Sequence, residues 1–387
     1  MRTFGKWLGR LILLLILVAI AVGLWKREEI TRLLAVNSLF SEEKIVQNFS
    51  NMDAAFLTTP VSRGNGVTVD LTYGADTRLP APVDNWITER SVTSLLVMKN
   101  GKIAYENYFQ GTQAQDRRIS WSVAKSYLSA LVGILLEEGK ISSIDDPVAK
   151  YAPVLKGGAY DGATLKNVLQ MTSGVTFDED YLDPRSDINR MGRVLALGGE
   201  MDDFAAGLVE RFAAPGEGWK YVSIDTHVIG MVVRGATGRS IADLLSEKII
   251  IPLGLEQSPY YLTDGVGTAF VLGGLNTTTR DYARFGQMFL QAGRWNGQQI
   301  VPETWVAAST IPSAPTDPDA IGYGYQWWIP KGAESGTYMA RGVYGQYIYI
   351  NTTKEVVIVT TAADRGFRET GVSQTNIDIF RLIADSL

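Results

Sequence analysis

The chain has 387 residues, 46% hydrophobic and 20% charged. That is enough for one large or two medium domains, and it is unlike a disordered, collagenous or coiled-coil composition. Cysteine is absent and His227 is the single histidine, which excludes disulfides, thiol nucleophiles, zinc fingers, iron–sulfur clusters and histidine-rich metal sites. Net charge is −5. Arg2, Lys6, Arg10, Lys26, Arg27 and Arg32 outnumber Glu28 and Glu29 at the start, so the remainder is more acidic still, which argues against nucleic acid as a partner.

Residues 1–30 read as a membrane anchor or signal segment. Leu11 to Trp25 carries no charged or polar side chain. Counted from Trp7, residues 7–25 span ~28 Å as a helix, close to the ~30 Å hydrocarbon core of a bilayer. Ala19-Ile20-Ala21 fits a cleaved leader, but the apolar run continues past it to Trp25, which favours a retained anchor. An anchor implies the inner (cytoplasmic) membrane, with the body facing the periplasm or exterior. Cleavage implies secretion.

Residues 31–90 form an irregular lead-in that packs on the main body. It has a short helical stretch near Ser41 to Phe49, then turn-rich sequence around Pro60, Gly64, Gly66, Gly74, Pro80 and Pro82. Residues 91–387 form the main domain. Leu95 to Met98, the pair Asn100-Gly101, and Ile103 to Tyr105 predict a hairpin, since both turn residues tolerate positive φ. Ser122 to Gly139 predicts a helix, with Val123, Tyr127, Leu131, Ile134 and Leu135 at helical spacing. Short helices and loops fill about 145–270, including a helix after Ser223 that ends before Gly238. A second hairpin runs from Tyr344 to Ile350 and Glu355 to Thr361, and a last helix covers Gln374 to Ile383. The pattern is α+β, with a sheet that joins distant segments and a helical insertion.

Three stretches carry the residue types of nucleophilic catalysis. Ser122-Val123-Ala124-Lys125 opens the first buried helix, and three residues is slightly less than one turn, so the amine lies on the face of the hydroxyl. The helix N-terminus supplies a positive field and N–H donors, and burial lowers a lysine's pKa. Ser41-Glu42-Glu43-Lys44 has the same spacing in an exposed acidic stretch and reads as a helix cap. Tyr221-Val222-Ser223 follows a Pro-Gly-rich turn; beside a cationic lysine its phenolate becomes accessible and could take the proton of Ser122. In Ala340-Arg341-Gly342-Val343-Tyr344-Gly345-Gln346 the glycines permit close approach of a substrate, and the Val343 N–H could complete an oxyanion hole with that of Ser122. His227 lacks a Gly-x-Ser-x-Gly partner and reads as structural or supporting. The aromatic run Tyr323 to Trp328 reads as core.

In this order the three stretches resemble the serine hydrolases of the class C β-lactamase and penicillin-binding type. Ser120 to Ser126, Leu169 to Val175, Asp178 to Tyr181, Gly273 to Asn276 and Arg280 to Gly286 resemble the 6-aminohexanoate-dimer hydrolase branch in particular. The likeness covers about residues 45–385. It implies an antiparallel β-sheet flanked by helices, an inserted mostly helical domain, and an active site in the cleft between them. It further implies Ser122 as acylated nucleophile, Lys125 and Tyr221 as proton-transfer pair, and Ser122 and Val343 as oxyanion hole. Tyr181, Asn276 and Gly342 are implied as substrate contacts, with no metal or organic cofactor.

The pattern departs from β-lactamases at two places. Ala340 stands where a lysine or histidine would hold a substrate carboxylate, and strand alternation would point Arg341 to the other face. Ser223 replaces an asparagine. Both favour a hydrolase of small esters or amides. The alternatives are a DD-carboxypeptidase or β-lactamase-type peptidase acting on cell-wall peptides, and a non-catalytic penicillin-binding-like sensor.

Overall fold

The computed structural model describes residues 2–387. Two helices, α1 (Arg2–Trp25) and α2 (Arg27–Asn37), come first. Within α1, Phe4–Trp25 is long and apolar enough to cross a membrane, with none of its side chains buried. The same features fit a leader.

In chain order the body then presents β1 (Leu57–Pro60), β2 (Val92–Lys99), β3 (Lys102–Tyr108) and β4 (Arg118–Ile119). Helices α3 (Ala124–Glu137), α4 (Asp187–Leu197) and α5 (Ser223–Thr237) follow. Next come β5 (Tyr260–Thr263), β6 (Leu275–Thr277), α6 (Thr279–Leu290), β7 (Gly322–Tyr323) and β8 (Trp328–Ile329). The chain closes with β9 (Thr337–Gly342), β10 (Gln346–Asn351), β11 (Val356–Ala362) and α7 (Val372–Asp385).

A seven-stranded antiparallel sheet runs in the order β3-β2-β11-β10-β9-β8-β7, so early and late segments lie side by side. Both predicted hairpins are present, and Asn100 (φ 52°) and Gly101 (φ 74°) make the first turn. Helices cover both faces. On one face Ile348, Val357 and Val359 meet Phe285, Leu128 and Leu131 in the main core. On the other, Tyr349, Val356 and Ile358 meet Ile377, Phe380 and Trp86. Burial from both sides explains why β11 reads as an uninterrupted Val-Val-Ile-Val run without alternation. In the helical part α5 is central: Ser223 to Val233 are all buried.

Two local expectations change. The predicted helix from Ser122 begins two residues later, at Ala124; Trp121–Val123 forms a 3₁₀ turn ahead of it. The lead-in is also less irregular than it reads. Its β1 pairs with β5, an element inside the stretch expected to be helices and loops, in a small sheet ordered β1-β5-β6-β4. A strand whose partner is some two hundred residues away leaves little local signature.

Candidate active site

Ser122 is half-buried in the 3₁₀ turn and faces a cavity of about 360 Å³. Trp121, immediately before it, has φ 42°. Such backbone in a bulky residue costs ~1–3 kcal/mol and persists only where surrounding packing enforces it. Here Trp121 is enclosed by Phe40, Phe49 and Tyr344, with ring centroids 5.5–6.0 Å away. That aromatic box fixes the turn that presents the hydroxyl.

Tyr221 lines the same cavity, just ahead of α5. Its ring stacks on Trp328 (5.1 Å), and the Arg341 guanidinium lies over that same indole (5.5 Å). Burial and the Glu179 carboxylate push the Tyr221 phenol well above its ordinary pKa, with the adjacent Ser122 hydroxyl acting the other way. The phenolate expected beside a cationic lysine is therefore not its resting form.

Lys125 is buried beside Tyr221. It is 2% exposed, and burial pushes its amine down to about 7, against the pull of Glu179 and Asp225. Its Nζ lies 5.2 Å from the centre of the Tyr221 ring and donates to the Thr226 hydroxyl (3.2 Å) and the Ser223 carbonyl (3.4 Å). The amine is thus held by the first turn of α5, beneath the phenol. Near neutral pH much of it is uncharged, so it can accept a proton.

The third wall is the end of β9. Gly342 lies so close to the serine turn that an added Cβ would come 2.6 Å from the Ser120 carbonyl and 3.1 Å from the Ser122 nitrogen. Only glycine allows that approach. Val343 follows and lines the cavity with Ser122, and Tyr344 beyond it has φ 61°. Strained backbone thus flanks both expected oxyanion N–H donors. Contrary to the expectation from alternation, Arg341 lines the cavity too, with Tyr347 opposite it on β10. The cavity extends past the strand to that face, where residues of the Phe367–Ser373 segment close it. Ala340, on the opposite face, is core.

Glu179 is among the cavity residues that the motif reading left without a role. It accepts from the Ser223 N–H (2.5 Å), the Ser223 hydroxyl (3.2 Å) and the Tyr181 hydroxyl (3.0 Å). Burial raises its pKa, opposed by Lys125. It pins Tyr181, which lines this cavity and a neighbouring apolar one. Its signal was position alone, two residues before Tyr181.

Asn276 is not brought to the site. It sits within β6, 0% exposed and bridged by pairing to Ile119 and Tyr260, and its amide donates to the Gly274 carbonyl (2.9 Å). Gly273, three residues earlier, lines the apolar cavity instead. His227 is buried on α5 and bonds Asp202 (2.8 Å), which also accepts from Arg234 (2.6 Å). It lines neither cavity. In the Arg280–Gly286 stretch, Arg284 is fully buried and paired with Asp281 and Glu256, each at 3.0 Å, a structural tie. Of the aromatic run, Tyr323, Tyr325 and Trp327 are core, while Trp328 lines the cavity.

Comparison with known proteins gives a consistent result. The profile of the β-lactamase family matches residues 83–376. A 6-aminohexanoate-dimer hydrolase from Paenarthrobacter ureafaciens is 31% identical over 298 residues, covering 73% of this chain and 75% of that protein. A solved structure of a proposed 6-aminohexanoate-dimer hydrolase from Bacillus anthracis superposes with TM-score 0.81 at 25% identity, over 89% of this chain and 95% of that one. A penicillin-binding protein from Bacillus halodurans shares the fold at TM-score 0.62 and 17% identity, over 79% and 100% of the two chains.

Proposed function

Since the chain belongs to the β-lactamase family and is a serine hydrolase of the amidase type, we propose that it cleaves small ester or amide substrates through an acyl-enzyme on Ser122. The observation that carries this reading is that Ser122, Tyr221, Gly342 and Val343, from three distant segments, line one cavity with the buried Lys125 amine beneath the phenol.

The Ser122 oxygen attacks the substrate carbonyl, forming a C–O bond while the carbonyl π pair moves onto oxygen. The N–H groups of Ser122 and Val343 hold that oxyanion. Because Tyr221 rests protonated, it serves as a relay: it receives the Ser122 proton as it passes its own to the uncharged Lys125 amine. When the tetrahedral intermediate collapses, the C–O or C–N bond to the leaving group breaks and the proton returns through Tyr221 to that group. Water repeats the sequence on the acyl-enzyme and releases the acid.

Arg341 favours a second reading. Its guanidinium lies over Trp328 within the cavity, and supplies the cation that Ala340 does not. A substrate bearing a carboxylate, such as a cell-wall peptide, suits it. We propose α1 as the anchor that holds this domain at the outer face of the inner membrane; a cleaved leader would leave it secreted.

Treatment of the full chain with a fluorophosphonate, followed by peptide mass spectrometry, should place the adduct on Ser122 and abolish turnover of a nitrophenyl ester. A folded protein with no adduct would overturn the mechanism. Covalent labelling by a fluorescent penicillin would select the peptidase reading.

A further inference from the structure

Ser122 opens onto two cavities, the first of mixed polar and aromatic lining and the second more strongly apolar. The first holds Tyr221, Arg341, Arg368, Glu179 and Glu369. The second, about 340 Å³, is walled by Leu39, Phe40, Phe56, Ile188, Met191 and Leu272 among others. Ser122, Tyr181 and Val343 belong to both, so a carbonyl at the oxyanion position would have one substituent in each.

The chemistry decides which. The leaving group must recover its proton from Tyr221, and Tyr221 lines the first cavity and not the second. The leaving alcohol or amine therefore occupies the polar side, and the acyl chain the apolar side.

Several polar side chains at the apolar cavity are already engaged elsewhere, while the Trp121 indole N–H is buried without a partner among the described residues. The Asn189 amide donates to the carbonyls of Asp180, Tyr181 and Asp183 (2.8–3.2 Å). Arg193 donates to the Pro184 carbonyl (2.6 Å), and the Ser223 hydroxyl to Glu179 (3.2 Å). The remaining surface is suited to hydrocarbon. Leu182, which lines it, is 82% exposed, and its wall includes Val36 at the end of α2 and Leu39 and Phe40 just after that helix.

Resting on the Ser122 acyl-enzyme reading, we infer that the second cavity is an acyl-chain subsite, and that the enzyme acts on esters or amides of aliphatic carboxylic acids several carbons long. The substrate is then amphipathic, with a hydrocarbon tail on one side of the scissile bond and a polar or charged group on the other. Burial of each added methylene contributes ~0.8 kcal/mol, or about fourfold in kcat/KM, until the cavity is full.

Gly192 provides the test. It faces the cavity from the middle of α4, where an added Cβ meets nothing within 4 Å, so a larger residue fits the helix and fills the cavity. The full chain in lipid nanodiscs is assayed with nitrophenyl acetate, butyrate, octanoate and laurate. Wild type should show kcat/KM rising from acetate to octanoate by at least ~30-fold, the gain expected if only two or three of the six added methylenes are buried at about fourfold each. Gly192→Leu should cut the octanoate-to-acetate ratio at least tenfold at an unchanged melting temperature; the comparison cancels partition of long esters into lipid. Ile188→Ala, which enlarges the cavity outside the aromatic box around Trp121, should raise turnover of nitrophenyl laurate relative to octanoate. A wild-type preference for acetate, or a ratio unmoved by both variants, overturns the subsite while leaving the nucleophile intact. Absence of ester turnover together with absence of a fluorophosphonate adduct on Ser122 overturns the underlying mechanism as well.

Discussion

Lys125 is the residue on which the proposed chemistry turns, because its charge state decides whether Ser122 can lose a proton. Below about pH 7 the buried amine is protonated and cannot accept; above it the free base can. The expected outcome is a kcat/KM for a nitrophenyl ester that rises tenfold per pH unit on the acid side and levels off above about pH 7. A profile flat from pH 5.5 to 8.5 would contradict the role. Tyr221, held well above its ordinary pKa, contributes no fall below about pH 9. The serine–lysine spacing was readable in the chain, and so was the suitability of a buried lysine. The phenol's resting state was not, since it depends on Glu179, forty-two residues away, and on burial that only packing supplies. The same limit produced the error at Asn276: a motif gives a position along the chain, whereas strand pairing decides whether the side chain meets a cleft or the interior.

At the scale of elements, the site is a contact between the 3₁₀ turn before α3 and the end of β9. The two touch because residue 342 has no side chain. Gly342→Ala would place a methyl 2.6 Å from the Ser120 carbonyl and 3.1 Å from the Ser122 nitrogen, so the strand must retreat and carry the Val343 N–H with it. Loss of one oxyanion donor typically costs 10²–10³ in kcat. The variant should therefore lose about 10² in kcat on a nitrophenyl ester, with KM changed by less than about threefold. Full activity in a folded G342A protein would show that the strand N–H is dispensable. The glycine was visible in the sequence as a site of close approach. The facing of its neighbour Arg341 was not, because alternation says that adjacent side chains oppose one another and leaves open which face borders the cleft.

Across the whole molecule, the helical part is tied internally by polar contacts as well as core packing. Asp202 joins the helix Met201–Ala206 to His227 and Arg234 on α5. Burial alone would raise its pKa, but the hydrogen bonds from those two side chains outweigh it and hold the carboxyl at about 2. Its unfolded value is ~3.9, so its contribution is fully present above pH ~4 and is lost as pH falls through about 2. The ceiling is about 3 kcal/mol, reduced by screening because the carboxylate is a third exposed. Asp202→Asn should lower Tm at pH 7 by ~1–2 °C, and the gap from wild type should close by pH 2. An equal gap at both pH values would point to packing rather than charge.

The sequence by itself determined the apolar first helix, the two hairpins, the buried helix after Ser122, the α+β class and three of the segments that meet at the site. Those are properties of side-chain period, turn chemistry and local spacing. Tertiary structure alone decided that β1 pairs with β5, that Glu179 and Arg341 border the cavity while Asn276 does not, and that Ser122 opens onto a second, apolar cavity walled partly by residues 36–40. Each depends on which distant segments lie side by side, and burial, charge and shape at a cleft are sums over those neighbours.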